Sequence, residues 1–94
     1  REFASKLLKQ SLNHWEESEE KVKVRLENWD LERISLIDKI ILIAAITELD
    51  YFPLTPGRVI INEYIEISKV FSTDRSNIFI NGILDKYTKE INRN

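Results

Sequence analysis

The chain predicts an all-α domain of about five helices, and three observations lead there. Gly and Pro number only two each in 94 residues, too few turn formers for a many-stranded β fold. Apolar residues recur at three- and four-residue spacing over most of the length, the period of a helix with one buried face. The breakers that do occur fall between those stretches, at Phe52-Pro53 and Pro56-Gly57. With 43% hydrophobic and 32% charged residues, the chain is too apolar for disorder and long enough for one core.

Phe3, Leu7, Leu8, Leu12 and Trp15 give residues 2–15 an amphipathic stripe that should be buried. After the acidic cluster Glu16, Glu17, Glu19 and Glu20, a second stripe follows at Val22, Leu26 and Trp29. No Gly or Pro divides the two, so one long helix bending near Ser18 and two helices with a short corner both fit; folding back buries more surface and favours two. Ser35 followed by Asp38 resembles a capping box, whose side chains satisfy amides left unpaired in a first helical turn. From Leu36 to Leu49 the apolar residues then cover nearly the whole circumference, as in a central helix surrounded by others. It should stop near Tyr51, because the residue before a proline avoids helical geometry.

Thr55 as cap and Pro56 in the first helical position start the next helix. Its apolar residues are Val59, Ile60, Ile61, Tyr64, Ile65, Ile67, Val70 and Phe71. Ser72-Thr73-Asp74 offers cap chemistry for the last helix, which shows Ile80, Ile83, Leu84, Tyr87 and Ile91 on one side and should fray at residues 92–94. Gly82 inside it costs about 1 kcal/mol relative to alanine, a cost that close approach of a neighbouring helix or a ligand would offset.

Charge and residue types narrow the function. Residues 1–56 carry eight Lys/Arg against eleven Asp/Glu, and residues 57–94 six against five, so neither half is a basic patch that binds phosphate strongly by itself. Absence of Cys excludes disulfides, thiolate catalysis and Cys-based zinc sites, and fits a reducing, cytoplasmic setting. The longest apolar run, Ile40 to Ile46, is too short to cross a membrane. His14 is the single histidine and with Glu17 reads as a surface pair rather than a metal site. Glu63 and Glu66 read as a solvated face, and no phosphate loop or nucleophile signature occurs. No enzyme, catalytic residue, metal or cofactor is therefore expected. The acidic run Glu16–Glu20 is either a solvated corner or a contact for a basic partner. Glu32 and Asp38 flank the start of the central helix, where they could meet arginines of a basic protein, although Asp38 equally suits a plain cap. Phe79 lies one position off the Ile80, Ile83, Leu84 stripe, where it either packs at the core edge or stacks on an unpaired base.

Four segments follow one another over about 60 residues: Leu26-Glu27-Asn28-Trp29, Ser35-Leu36-Ile37-Asp38, Ile61-Asn62-Glu63 and Phe79-Ile80-Asn81-Gly82-Ile83-Leu84-Asp85-Lys86. Together they resemble the C-terminal part of the NusB family, bacterial transcription antitermination factors. The resemblance implies a NusB-like helical bundle, with residues 1–15 as the last helix of an N-terminal bundle outside this chain and residues 16–94 as the C-terminal helical domain. It also implies a cytoplasmic, non-enzymatic module that binds NusE, a small ribosomal subunit protein, and with it boxA RNA, so engaging other Nus factors and RNA polymerase indirectly. Carried over by position, Glu32 and Asp38 would face NusE, while Arg75, Asn77 and Phe79 would face RNA. Asn81 and Gly82 would serve helix packing.

Two departures from the family pattern bear on affinity. The family's arginine-rich opening segment does not occur in these residues, and Ser76-Asn77-Ile78 replaces the Ser-His-Lys of many relatives. Both should weaken RNA binding by this chain alone, with Arg75 compensating in part. The apolar face of the first helix, with Phe3, Leu7 and Leu8, should be left uncovered and could pair two copies. The alternative reading is a NusB-like accessory domain of a ribosomal RNA cytosine methyltransferase, although those tend to read Asn-Ala-Val-Leu-Arg at Asn81-Gly82-Ile83-Leu84-Asp85. A purely structural bundle is the third.

Overall fold

A computed structural model describes residues 2–26, 34–71 and 73–93. Within them lie five helices and no strand: α1 (Glu2–Asn13), α2 (Trp15–Val24), α3 (Leu36–Tyr51), α4 (Gly57–Phe71) and α5 (Asp74–Glu90). The central helix is the predicted one, since α3 packs against each of the other four. Ile41, Leu42, Ile43, Ala45, Ile46 and Leu49 are all buried on it, and each large aliphatic side chain so placed stabilises the fold by about 1.5–3 kcal/mol relative to exposure. Its opening turns differ from the expectation of burial all round. Asp38, Ile41 and Leu42 turn inward there, and at helical spacing that turns Leu36, Ile37 and Ile40 outward, 68%, 41% and 41% exposed.

Cap chemistry settles two of the helix starts. Ser35 Oγ accepts the Asp38 N–H at 3.1 Å, and Thr73 Oγ1 accepts the Ser76 N–H at 3.2 Å, both at positions legible in the sequence. For α4 the start lies one residue later than expected. The Pro56 carbonyl accepts the N–H groups of Val59 and Ile60, so Pro56 is itself the cap and Gly57 the first helical residue.

The break between α1 and α2 falls at His14, not Ser18, and it is a kink rather than a fold-back. His14 N–H donates to the Gln10 carbonyl at 3.0 Å and the His14 carbonyl accepts from Ser18 at 2.9 Å, so helical bonding crosses the junction. The imidazole stacks on Tyr51 at 4.1 Å between ring centroids, and Nδ1 lies 3.1 Å from both Tyr51 Oη and Glu17 Oε1. Ser18 is fully buried instead. Thr47 Oγ1 donates to the Ile43 carbonyl at 2.8 Å, which leaves the Ser18 hydroxyl, 2.9 Å from Thr47, to donate to it. The stripe expected to bury α1 is largely open: Leu7 is half-buried, whereas Phe3, Leu8 and Leu12 are exposed, Phe3 resting edge-on against Phe52. The acidic run lies within α2, where Glu17 pairs with Lys21 and Glu19 with Lys39 of α3.

At the far end of α3, polar groups lock three helices together. Asp50 accepts from Lys21 Nζ at 2.6 Å and from Tyr87 Oη at 2.5 Å, while Arg25 lies over the Tyr87 ring and pairs with Glu90. Burial, with the hydrogen bond to Asp50, pushes the Tyr87 phenol up to about 12. The end of α5 does not fray as expected. Asn92 takes a left-handed φ of 60°, Arg93 N–H donates to the Thr88 carbonyl at 2.8 Å and Asn92 N–H to that of Lys89 at 3.2 Å, a Schellman closure of the helix. The Arg93 guanidinium then reaches back to the carbonyls of Leu49, Phe52 and Thr55. Asn81 and Gly82 correct another expectation. Both are exposed, and a Cβ built on Gly82 would meet nothing within 4 Å, so neither residue brings helices together.

Candidate protein and nucleic-acid interface

The start of α3 and the start of α5 meet through one side-chain contact. Asp38 is 5% exposed, and its Oδ2 accepts the Ser76 hydroxyl at 2.7 Å. Ser76 also lies 3.2 Å from the Thr73 hydroxyl, so the capping residue of α5, its first turn and the buried carboxylate of α3 form one chain of polar contacts. The next residue ties in a third helix: Ser68 Oγ of α4 donates to Asn77 Oδ1 at 2.5 Å and, as a second contact, lies 2.8 Å from the Ile65 carbonyl. Side-chain hydrogen bonds from Ser76 to the Asp38 carboxylate and from Ser68 to the Asn77 amide thus hold the beginning of α5 against α3 and α4.

The residues singled out in the sequence divide according to this geometry. Asp38 is a buried tether, with its carboxylate engaged by α5. Asn77 is half-buried with its amide oxygen held by Ser68, and Phe79 is half-buried against the core. Arg75 alone of the RNA candidates is exposed. Glu32 lies outside the described residues, as does Trp29. Beside Arg75 the structure exposes Ile78, 77% open to solvent, which sequence reasoning passed over because it looked like a neutral replacement rather than a contact. Ser76 and Ser68 were missed as well. Ser76 carried a signal, its place three residues after a capping threonine; Ser68 carried none, because its partner Asn77 lies on another helix.

Electrostatics around α5 are nearly balanced. Arg75, Lys86 and Lys89 are exposed, but Asp74 lies beside Arg75 in the sequence, and Lys89 pairs with Asp85 at 3.1 Å. Such a face offers phosphate only a weak pull by itself. No group of three His, Cys, Asp or Glu suited to a metal ion occurs among the described residues, and no helix among them is long and apolar enough to cross a membrane.

Comparison with known proteins agrees with this architecture. The NusB family pattern matches residues 1–89, taking in α1 and α2 as well as the segment from Leu26 on which the resemblance was read. The transcription antitermination protein NusB of a Nitratiruptor species is 43% identical over 91 residues, covering 97% of this chain and 65% of that protein. The NusB of Lysinibacillus sphaericus is 40% identical over 88 residues, 94% of this chain and 69% of that protein. A solved structure of T. maritima NusB superposes with a TM-score of 0.89 at 35% identity, covering 95% of this chain and 63% of the other. The chain thus spans about two thirds of the length of these relatives.

Proposed function

The chain belongs to the NusB family, and from that membership together with the Asp38–Ser76 junction we infer that it is a non-catalytic antitermination module that binds NusE and, with it, boxA RNA. The observation that carries the reading is that junction, a buried carboxylate at the family's acidic position tied to the helix whose start carries the RNA candidates. Leu36, Ile37 and Ile40 lie exposed on the same opening turns of α3, and an exposed apolar patch is a common mark of a protein contact. In this reading Glu32 supplies the charge that meets basic NusE, Asp38 holds the surface in shape, and Arg75 with Ile78 and the edge of Phe79 meets RNA. The relatives carry antitermination names, which favours this over a methyltransferase accessory domain.

Titration of NusE against the chain and its Glu32→Lys variant tests the protein contact, with affinity expected to fall about tenfold or more. An unchanged affinity would remove Glu32 from the interface. For RNA, Arg75→Ala should reduce the slope of log affinity against log salt by about one phosphate contact, measured with labelled boxA RNA in the presence of NusE. A second reading, self-association through α1, has support in the exposure of Leu8 and Leu12 one turn apart. Sedimentation equilibrium should then show a dimer that Leu8→Glu converts to monomer.

A further inference from the structure

The solvent face of α5 carries one residue that the fold does not explain. Gly82 lies exposed in the middle of the helix with a negative φ, and a Cβ there would meet nothing within 4 Å. Neither a turn nor a neighbouring helix calls for glycine, yet the residue costs about 1 kcal/mol of helix stability relative to alanine. Its position on the helix surface supplies a second observation. At about 100° per residue, Arg75, Ile78, Lys86 and Lys89 all fall within about 40° of Gly82, on the side turned away from buried Ile80, Leu84 and Tyr87. The glycine thus stands at the centre of a line that holds three cations. Asp74 and Asp85 lie about 60–80° round to one flank, and the Lys89–Asp85 pair is an exposed one, which yields to a competing anion at little cost.

We propose that single-stranded RNA runs along this line, its sugar-phosphate backbone crossing α5 at Gly82 between phosphates met by Arg75 at one end and by Lys86 and Lys89 at the other. This path rests on the RNA reading above and extends it, since that reading places RNA only at the start of α5. From Arg75 to Lys86 the helix rises about 16 Å, a span of several nucleotides. Any side chain at position 82 would hold a strand away from the cations on both sides of it; bare helix backbone lets the strand settle between them, the close approach for which glycine is suited. Ile78, 77% exposed, adds apolar surface beside the crossing.

The composition of the line decides the class of partner. A protein helix crossing at a glycine needs apolar neighbours around the contact, and here Ile78 is the single apolar residue beside three cations. Phosphates suit that pattern, and contacts of this kind fix the path of a strand rather than its sequence. The pull is modest, so the line guides a strand already held at the start of α5.

Labelled boxA RNA titrated in the presence of saturating NusE, read by fluorescence anisotropy, tests the path. Gly82→Ala and Gly82→Leu place better helix formers in open space, so both should fold, and RNA affinity should nevertheless fall about threefold for alanine and about tenfold or more for leucine. Asn81→Leu sets the same bulk about 100° round the helix and should change affinity by less than about twofold. Lys86→Gln should lower the slope of log affinity against log salt by about one, as Arg75→Ala does. Affinity for NusE without RNA should stay the same throughout. Unchanged RNA affinity in Gly82→Leu, an equal loss in Asn81→Leu, or a loss of NusE affinity in Gly82→Leu would overturn the proposal, the last because a protein would then occupy the line. If the parent chain with NusE binds no boxA RNA, or Arg75→Ala leaves the salt slope as it was, the RNA reading falls and this path with it; a normal Arg75→Ala effect beside silent Gly82 and Lys86 variants removes the path alone.

Discussion

The two ends of α3 are built in opposite ways. At its end, Asp50 is held by Lys21 and Tyr87, Arg93 ties the last turn to the following loop, and the aliphatic residues are buried. At its start, three aliphatic side chains face solvent and the Asp38–Ser76 contact joins it to α5. One helix therefore acts as a fixed strut at one end and a presented surface at the other. The difference shows how a small all-helical domain can keep a rigid core and still leave apolar side chains available to a partner.

The sharpest way to break this comparison is to truncate one isoleucine at each end. Ile46→Ala should cost about 3–4 kcal/mol, since Ile46 is fully buried and leaves a cavity, whereas Ile40→Ala, 41% exposed, should cost about 1 kcal/mol or less. Urea unfolding reads both, and similar losses would mean that the start of α3 is as integral as its end. Next in size is a pair of hydroxyl deletions. Tyr87→Phe removes a donor from Asp50 and should cost about 1–2 kcal/mol. Ser76→Ala should cost about 1 kcal/mol but should speed amide exchange in the first turn of α5, which Tyr87→Phe should leave alone.

A smaller effect follows from pH. Because burial raises the Glu48 carboxyl above its ordinary 4.5 in the folded state, that state holds the proton more tightly than the unfolded chain does. The corresponding stability is complete below about pH 4.5 and is lost as pH rises through the folded value. Glu48→Gln cannot ionise, so its melting temperature should improve relative to the parent chain as pH rises above about 4.5; a constant difference would show that Glu48 does not hold its proton more tightly in the folded state. The smallest change is a gain. Gly82→Ala meets open space and should stabilise by about 0.5–1 kcal/mol, and a drop in boxA affinity despite that gain would locate RNA against this stretch of α5.

Much of the fold was legible because its signals are local. Ser35 and Thr73 sit where the first-turn amides need acceptors, Phe52-Pro53 stops α3, and the apolar spacing of Ile80, Ile83, Leu84 and Tyr87 marks a buried face; each depends on neighbours within a turn. What the sequence hid depends on distant partners. His14 marks the kink only because Tyr51, 37 positions away, stacks on it. Arg93 looked like a fraying tail because the carbonyls it satisfies belong to another helix and its loop. The candidate site was legible only as a set of positions: Asp38 could be read as a cap, but neither its burial nor its link to Ser76 follows from spacing.

The Arg93 clamp has one more implication. Every bond its guanidinium makes in the α3–α4 connection goes to a main-chain oxygen, at Leu49, Phe52 and Thr55, so the joint is indifferent to which side chains that connection displays. Leu54, 97% exposed at its crest, can be exchanged for almost any residue without loosening the hinge between the two helices, which makes this corner a natural place to graft a label or a recognition tag.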